Sequence, residues 1–187
     1  MTLLENRLEI LNTLESSLTS HAIRDEASRC LQCEDAPCSQ ACPADINIPG
    51  FIRKIVHEND LGGIRALREA NVLAGACGLF CPTEQLCQAK CVLADTTGAI
   101  RIGALQTYLM GIDWKKQYAA RTLSLPTASD AERVAVIGAG PAGLAAACAL
   151  LELGITPVVF DTASEIGAFW QTAPLPLRNM RIFSPIN

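Results

Sequence analysis

Eight of the nine cysteines in the chain fall into two short groups. The first group, CLQCEDAPCSQACP, contains Cys30, Cys33, Cys38 and Cys42, and the second, CGLFCPTEQLCQAKC, contains Cys77, Cys81, Cys87 and Cys91. Thiolates packed this densely bind metal ions or iron–sulfur clusters. Since nine is an odd number and we expect a reducing, cytoplasmic compartment, a disulfide framework is the weaker interpretation.

The cysteine spacing favours iron–sulfur clusters over zinc. Structural zinc sites usually take two C-x2-C pairs, whereas this sequence has one, and no histidine lies close to a cysteine. In iron–sulfur runs, three cysteines lie close together and a fourth, followed by proline, binds the other cluster. Cys42-Pro43 and Cys81-Pro82 both match that ending. Apolar flanks such as INIPGFI and LAGACGLF would shield a cluster, and zinc remains the alternative.

The remaining cysteine and the two histidines are assigned no function. Cys148 lies in AAACALL, where a cysteine behaves as a small apolar residue. We expect His21 and His57 to be surface residues.

A glycine motif follows the cysteine groups. VAVIGAGPAGLAAA contains G-x-G-x-x-G as Gly138, Gly140 and Gly143, between an apolar strand and a helix. The three glycines would allow a tight turn, close approach of a pyrophosphate and close packing of helix on strand. Asp161, at the end of the next predicted strand, would accept hydrogen bonds from the adenosine ribose. An acid there disfavours a 2′-phosphate, so FAD or NAD fits better than NADP.

The elements that must position these residues differ between the two halves of the chain. The first half predicts helices over residues 5–18, over 22–31, through GFIRKIVHEND after Pro49, over GGIRALREAN, and a long amphipathic helix over IGALQTYLMGIDWKKQYA. Gly75 and Gly78 are expected to loosen the chain near the second cysteine group. No strand is predicted in this half.

The polar segment RTLSLPTASDAE predicts a domain boundary at residues 121–132. A strand over RVAVIGAG, a helix over PAGLAAACALLELG that stops at Gly154, and a strand over TPVVFD follow it. The expected architecture is an all-helical domain carrying the cysteines, residues 1–122. The start of a Rossmann-like parallel sheet, residues 133–187, comes after it.

Composition narrows the choice of partners. The 187 residues are 50% hydrophobic and carry a net charge of −4, with no block of lysine or arginine. We therefore expect no nucleic acid and no membrane as partner. No apolar run suits a transmembrane helix, and the N-terminus lacks the pattern of a signal peptide.

Four segments together resemble a known family. ASRCLQCEDAPCSQACPADINIPGFI, CGLFCPTEQLCQAKC, IRIGALQTY and VAVIGAGPAGL resemble the N-terminal half of dihydropyrimidine dehydrogenase. The resemblance runs from about residue 20 to residue 167 and is strongest to the flavin and iron–sulfur subunit of the bacterial NAD-dependent enzyme. The small subunit of glutamate synthase shares the architecture at greater distance.

The resemblance implies two 4Fe–4S clusters with interleaved ligands. The first cluster would take Cys30, Cys33, Cys38 and Cys91, and the second Cys42, Cys81, Cys87 and Gln106. Gln106 belongs to the motif IxIGxLQ, and Cys77 matches a cysteine that is not a ligand. The glycine segment Gly138, Ala139, Gly140, Pro141, Ala142 and Gly143, with Asp161 and Arg178, would bind FAD.

The family also implies a direction of electron flow. Electrons would pass from NAD(P)H, bound in a separate domain, through FAD and the clusters to a catalytic subunit carrying FMN and iron–sulfur clusters. That subunit would reduce uracil or thymine at the 5,6 double bond. Alternatives are a protein like the glutamate synthase small subunit, or a non-catalytic metal-bearing assembly module.

Two departures from the family pattern shape a further expectation. Ala168 replaces a glycine, and only two of the roughly five strands that an FAD domain needs are predicted before Asn187. We therefore expect a truncated chain that lacks the nicotinamide domain and does not turn over alone.

Overall fold

The computed structural model describes residues 20–116 and 129–162. The chain divides into two compact units, a helical one containing residues 20–116 and an α/β one containing residues 129–162. The helix predicted over residues 5–18, and also Ala168 and Arg178, lie outside the described residues.

Short helices build the helical unit, and no strand lies within residues 20–116. The helices are α1 Ser20–Ser28, α2 Pro37–Gln40, α3 Ile48–Val56, α4 Asp60–Ala70, α5 Ala74–Phe80 and α6 Ile102–Lys116, with a 3₁₀ turn at Gln88–Lys90. The predicted helices before Cys30, after Pro49, over GGIRALREAN and over IGALQTYLMGIDW are confirmed.

Asparagine side chains begin two successive helices in the same way. Asn47 Oδ1 accepts a hydrogen bond from the Gly50 amide at 2.9 Å at the start of α3. Asn59 Oδ1 accepts one from the Gly62 amide at 2.9 Å at the start of α4. Each cap satisfies an amide that the helix leaves unpaired, which stabilises a helix by about 1 kcal/mol.

The core of the helical unit lies between α1, α3, α4 and α6. Fully buried side chains at its centre are Ile23, Phe51, Ile52, Ile55, Leu67, Leu105 and Leu109. Cys87 is part of this core, and Cys30, Cys38, Cys42 and Cys91 pack against it. These five thiols therefore pack on an apolar base.

Helix α6 is buried on one side, but that side is not purely apolar. Leu105, Gln106, Leu109 and Asp113 are all buried, at a helical spacing. Asp113 Oδ2 accepts hydrogen bonds from Arg68 Nη2 at 2.6 Å and Nε at 2.9 Å. The expected amphipathic helix thus carries two polar residues on its buried side.

The expectation that Gly75 and Gly78 loosen the chain near the second cysteine group is wrong. Both residues lie inside α5, which runs unbroken from Ala74 to Phe80. A Cβ at Gly78 would lie 2.7 Å from Thr107 Oγ1 and 3.1 Å from the Thr107 amide nitrogen. Glycine is required here because α5 and α6 approach closely, and not because the chain is loose.

The α/β unit contains the predicted strand, helix and strand. Strands β1 Ser129–Ile137 and β2 Ile155–Phe160 are parallel, with Ile137 opposite Phe160, and helix α7 Pro141–Glu152 connects them. The helix ends just before Gly154, as predicted. In the described part of the chain, no helix has the length and apolar character needed to span a bilayer.

Candidate cofactor sites

The first cysteine group lies on a tightly folded loop. Cys30 lies two residues after the end of α1, and Cys38 lies within α2. Three non-glycine residues of this loop are left-handed, Gln32 with φ 54°, Ala36 with φ 34° and Asp45 with φ 50°. Left-handed residues reverse the chain sharply at a cost that surrounding contacts must offset, a feature that clusters at functional sites.

Four thiols line one cavity. Its wall contains Cys30, Cys33, Cys38 and Cys91, together with apolar side chains that include Ile48, Ile52, Leu93, Ile100 and Ile102. Cys91 comes from the second cysteine group, so the cavity combines residues that are distant in sequence. Thiolates in an apolar enclosure are donors of the kind that iron–sulfur clusters require.

The pKa shifts of Cys30 and Cys38 indicate the same grouping of the four thiols. Burial raises the pKa of Cys30, and the neighbouring thiols of Cys33 and Cys91 raise it further, while hydrogen bonds from Gln32 lower it. Burial likewise raises the pKa of Cys38, with smaller contributions from Cys30 and Cys91. Cys91 is therefore close to the first group.

A second set of thiols surrounds Cys87. Burial raises the pKa of Cys87 to about 12, with further increases from Cys81 and Cys42 and a smaller one from Cys38. Cys42 belongs to the first group in sequence and approaches the second in space. Since Cys38 also affects Cys87, the two sets are adjacent.

Cys77 has a hydrogen-bond donor that the sequence did not reveal. Asn71 Nδ2 donates to Cys77 Sγ at 3.1 Å, while Asn71 Oδ1 accepts from the Leu73 amide at 2.9 Å. Burial raises the pKa of Cys77, the Asn71 hydrogen bond lowers it, and Cys42 raises it slightly. Cys77 therefore lies beside the second set.

Gln106 is buried in α6, with 6% of its surface exposed. Its Nε2 donates to the Ala74 carbonyl oxygen, at the start of α5, at 2.6 Å. The amide nitrogen is thus occupied by the backbone, and the side-chain oxygen is the atom that Gln106 can offer to a metal.

Within the described residues, no three His, Cys, Asp or Glu side chains are close enough to hold a single metal ion.

A polar network ties the start of the first cysteine loop to the segment after Cys91. Arg29 Nη2 donates to the carbonyl oxygens of Gly98 at 2.6 Å and Thr97 at 2.9 Å. Glu26 accepts from Arg29 Nη1 at 2.9 Å and from the Arg101 amide at 2.8 Å. These contacts hold the flank of Cys30 against the segment that follows Cys91.

The glycine loop of the α/β unit has the shape of a phosphate-binding turn. Gly138 has φ 98°, a region that side chains disfavour, and its amide donates to the Phe160 carbonyl at 2.7 Å. A Cβ at Gly143 would collide with the Gly138 carbonyl oxygen. Helix α7 begins at Pro141 and has no side-chain cap at Gly140, and a helix start of this kind suits a bound phosphate.

Asp161 is exposed at the end of β2 and contacts this loop. Its Oδ2 accepts a hydrogen bond from the Ala139 amide at 2.6 Å. The acid and the glycine turn therefore form one site, with donors and geometry that fit a dinucleotide.

His21 and His57 are exposed, as expected, and Cys148 is half-buried within α7.

Two family models match the chain. Residues 7–118 match the model described as dihydropyrimidine dehydrogenase domain II, 4Fe-4S cluster. Residues 136–182 match the model described as NAD(P)-binding Rossmann-like domain.

Curated relatives share most of this chain. The NAD-dependent dihydropyrimidine dehydrogenase subunit PreT of Escherichia coli (strain K12) is 39% identical over 159 residues, covering 85% of this chain and 38% of the relative. The PreT subunit of Salmonella typhimurium is 38% identical over 159 residues, again covering 85% of this chain and 38% of the relative. The glutamate synthase [NADPH] small chain of Halomonas elongata is 36% identical over 146 residues, covering 76% of this chain and 30% of the relative. The chain thus spans less than two fifths of the length of these relatives.

Proposed function

The chain belongs to the family described as dihydropyrimidine dehydrogenase domain II, 4Fe-4S cluster, and from that premise we propose that it is an electron-transfer component of an NAD-dependent dihydropyrimidine dehydrogenase. The observation that carries this proposal is the interleaving of the two cysteine groups. Cys91 joins the cavity of the first group, and Cys42 lies beside the second.

Each set of side chains would hold one 4Fe–4S cluster. Cys30, Cys33, Cys38 and Cys91 would bind the first cluster, and Cys42, Cys81, Cys87 and Gln106 the second. Such clusters supply one-electron transfer. The apolar wall around the first set would exclude water, and the proximity of Cys38 to Cys87 would keep the two clusters within range of each other.

Two features of the helical unit support these ligand sets. The Arg29 network holds both segments of the first set together. The hydrogen bond to Ala74 fixes the Gln106 side chain in a buried position, which offsets the entropy of ordering a long side chain at a ligand position.

We propose FAD as the ligand of the α/β unit. The segment Gly138, Ala139, Gly140, Pro141, Ala142 and Gly143 would face its pyrophosphate, Asp161 its ribose, and Arg178 would complete the site. Gly138 has the positive φ that the tight turn needs, and a Cβ at Gly143 would collide with the Gly138 carbonyl oxygen, so the loop has the close backbone geometry that a backbone-bound pyrophosphate uses. FAD would accept an electron pair from NAD(P)H bound in a separate domain.

The pyrimidine chemistry would belong to a partner. The proposed partner is a catalytic subunit carrying FMN and iron–sulfur clusters, on which uracil or thymine is reduced. In this chain, the side chains hold and order electron carriers and do not contact the pyrimidine.

The 36% identity to a glutamate synthase small chain favours a second candidate. In that case the same helical unit would deliver electrons to a glutamate synthase large subunit. The two candidates differ in the partner, so pulldown with each purified catalytic subunit separates them.

The cofactor content of the full chain tests the proposal. Chain purified without oxygen should contain iron and acid-labile sulfide in equal amounts, at about eight atoms each per chain, and absorb near about 400 nm. FAD is measured separately after release by acid. Zinc without sulfide would contradict the proposal and support a structural metal module.

A further inference from the structure

Two side chains could supply the fourth ligand of the proposed second cluster, the thiol of Cys77 and the amide oxygen of Gln106. Thiolates are the ordinary ligands of iron–sulfur clusters, and the iron of such clusters prefers sulfur to an amide oxygen. The proposed ligand set nevertheless contains Gln106 and leaves Cys77 free. The physical reason lies in the turn between α4 and α5, residues 71–73.

Cys77 and Gln106 lie on two helices that pack closely. Gln106 Nε2 donates to the carbonyl oxygen of Ala74, and Cys77 follows Ala74 by three residues, on the same side of α5. A Cβ at Gly78, next to Cys77, would lie 2.7 Å from a side chain of α6. The Cys77 carbonyl oxygen also accepts a hydrogen bond from the Cys81 amide at 3.0 Å. Cys77 therefore lies between the contact of Gln106 and a proposed ligand of the second cluster.

All four polar groups of Asn71 are engaged in the turn that precedes α5. Its backbone amide donates to the Leu67 carbonyl oxygen, and its own carbonyl oxygen accepts from the Ala74 amide, each at 2.9 Å. In the side chain, Oδ1 accepts from the Leu73 amide at 2.9 Å, and Nδ2 donates to Cys77 Sγ at 3.1 Å. Turning the side-chain amide over would place two N–H groups against each other. The direction of the donor toward sulfur is therefore fixed.

We propose that Asn71 determines the fourth ligand of the second cluster by holding the Cys77 sulfur at the turn before α5. This inference rests on the proposed function, because it requires a cluster at the second set. With its sulfur bound by the Asn71 amide, the thiol stays outside the ligand set, and the Gln106 oxygen takes the fourth position. Asn71 is thus a positioning residue that acts on the cluster through Cys77.

Release of Cys77 would permit an exchange of ligands. The Cys77 thiol gives its proton to water, its sulfur bonds to iron, and the Gln106 oxygen leaves as part of a neutral amide. No electron is transferred in this exchange, and the cluster with its ligands gains one negative charge. Since the net charge helps to set the potential of a cluster, the exchange lowers that potential.

Rescue of a ligand variant separates this role from a merely structural one. Gln106→Leu alone should hold about half of the wild-type iron, because Asn71 keeps Cys77 away from the vacant position. Adding Asn71→Ser should raise the iron content about twofold, to the wild-type amount. Serine keeps an oxygen for the Leu73 amide, but its side chain is too short to reach the Cys77 sulfur. Loss of a residue that only stabilises the fold would not add a cluster.

Two control variants accompany this pair. Adding Cys77→Ser to Gln106→Leu, Asn71→Ser should abolish the rescue, because the incoming thiol is then missing. Asn59→Ser combined with Gln106→Leu is the matched control and should not restore iron. Asn59 lies at the opposite end of α4, and its Oδ1 accepts from the Gly62 amide at 2.9 Å.

A second measurement applies if the double variant Gln106→Leu, Asn71→Ser does not fold. Asn71→Ser in the otherwise unchanged chain should exchange Gln106 for Cys77 and lower one of the two midpoints in a redox titration. At the wild-type midpoint, the ratio of reduced to oxidised cluster should fall at least about tenfold, which corresponds to about 59 mV for one electron. An unchanged midpoint in that variant would overturn the inference.

The main experiment measures iron and acid-labile sulfide in full chains whose clusters are rebuilt without oxygen. Failure of Asn71→Ser to raise the iron content of Gln106→Leu would overturn the inference. A rescue that survives Cys77→Ser, or that Asn59→Ser also gives, would overturn it as well. Full iron in Gln106→Leu alone would show that Asn71 does not control the fourth position. If the wild-type chain itself contains no acid-labile sulfide, the proposed function fails, and that result is distinct from the others.

Discussion

The Gln106 side chain reaches from α6 to the first residue of α5, where its Nε2 donates to the Ala74 carbonyl oxygen at 2.6 Å. Ala74 is completely buried, and its carbonyl oxygen accepts this hydrogen bond away from solvent. The bond fixes the direction of the amide and thereby the direction of its oxygen. A glutamine held in this way can act as an oxygen ligand with little further ordering.

Gln106→Leu should remove one of the two proposed clusters. Leucine fills the space but offers no ligand oxygen, so we expect iron and sulfide to fall by about half. Loss of the hydrogen bond to the Ala74 carbonyl should lower the free energy of unfolding by about 0.5–1.5 kcal/mol. Iron and sulfide analysis, with urea unfolding of the cluster-free chain, measures both effects. Gln85→Leu, at an exposed position between Cys81 and Cys87, should retain both clusters.

Cys33→Ala and Cys77→Ser should differ in cluster content. Cys33 lines the cavity of the first set, so we expect Cys33→Ala to lose about half of the iron and leave the second cluster in place. Cys77 receives a hydrogen bond from Asn71, and Cys77→Ser keeps an acceptor for that bond. Metal analysis of both variants tests the assignment. Equal loss of iron in the two would contradict the exclusion of Cys77 as a ligand.

The elements of the fold followed from local patterns in the sequence, because helix spacing, Pro49 and the strand–glycine–helix segment act over short distances. The contacts of Cys91 and Cys42 did not follow in the same way. Cys91 joins Cys30 through tertiary contacts such as that of Arg29 with Gly98, which no spacing rule contains. The family resemblance supplied that pairing, and the residues alone did not.

Two misjudged features have the same physical cause. Gly78 was expected to loosen the chain, but its missing side chain makes room for Thr107. Asp113 belongs to a helix predicted to be amphipathic, but its carboxylate is buried and pairs with Arg68. In each case the role depends on which atoms lie opposite in space, and a single sequence does not contain that information.

Gly143→Ala should disrupt the glycine loop. Since the new Cβ would collide with the Gly138 carbonyl oxygen, the loop must shift, at a cost of about 1–3 kcal/mol. We expect FAD binding to weaken at least about tenfold, because a change of 1.4 kcal/mol corresponds to that factor. Flavin fluorescence titration measures it.

Gly111→Ala is the control for that substitution. Gly111 lies in α6, and no atom lies within 4 Å of a Cβ built there. Alanine should stabilise the helical unit by about 0.5–1 kcal/mol and leave FAD binding unchanged. Unaltered flavin affinity in Gly143→Ala would contradict the proposed nucleotide site.

Asp113→Ala should strongly destabilise the helical unit. The Asp113 side chain is 1% exposed and pairs with Arg68 at 2.6 Å, so its removal leaves a half-buried guanidinium without its carboxylate. We expect a loss of about 3–5 kcal/mol in the free energy of unfolding. The double variant Arg68→Met, Asp113→Leu should lose less, because no unpaired charge remains. Urea unfolding of wild type, Asp113→Ala and the double variant distinguishes the cost of an unpaired charge from the cost of lost packing.

The cluster-free chain should lose stability in alkaline solution because of Cys87. Burial raises the pKa of the Cys87 thiol to about 12 in the folded state, above its ordinary value of 9.0. The folded state therefore keeps a proton that the unfolded state releases. The resulting stabilisation is complete below about pH 9 and is lost as the pH rises toward about 12. Cys87→Ser does not ionise in this range, so its unfolding free energy should fall less between about pH 8 and about pH 10. Equal pH slopes for wild type and Cys87→Ser in urea unfolding would show that this thiol is not held in its neutral form.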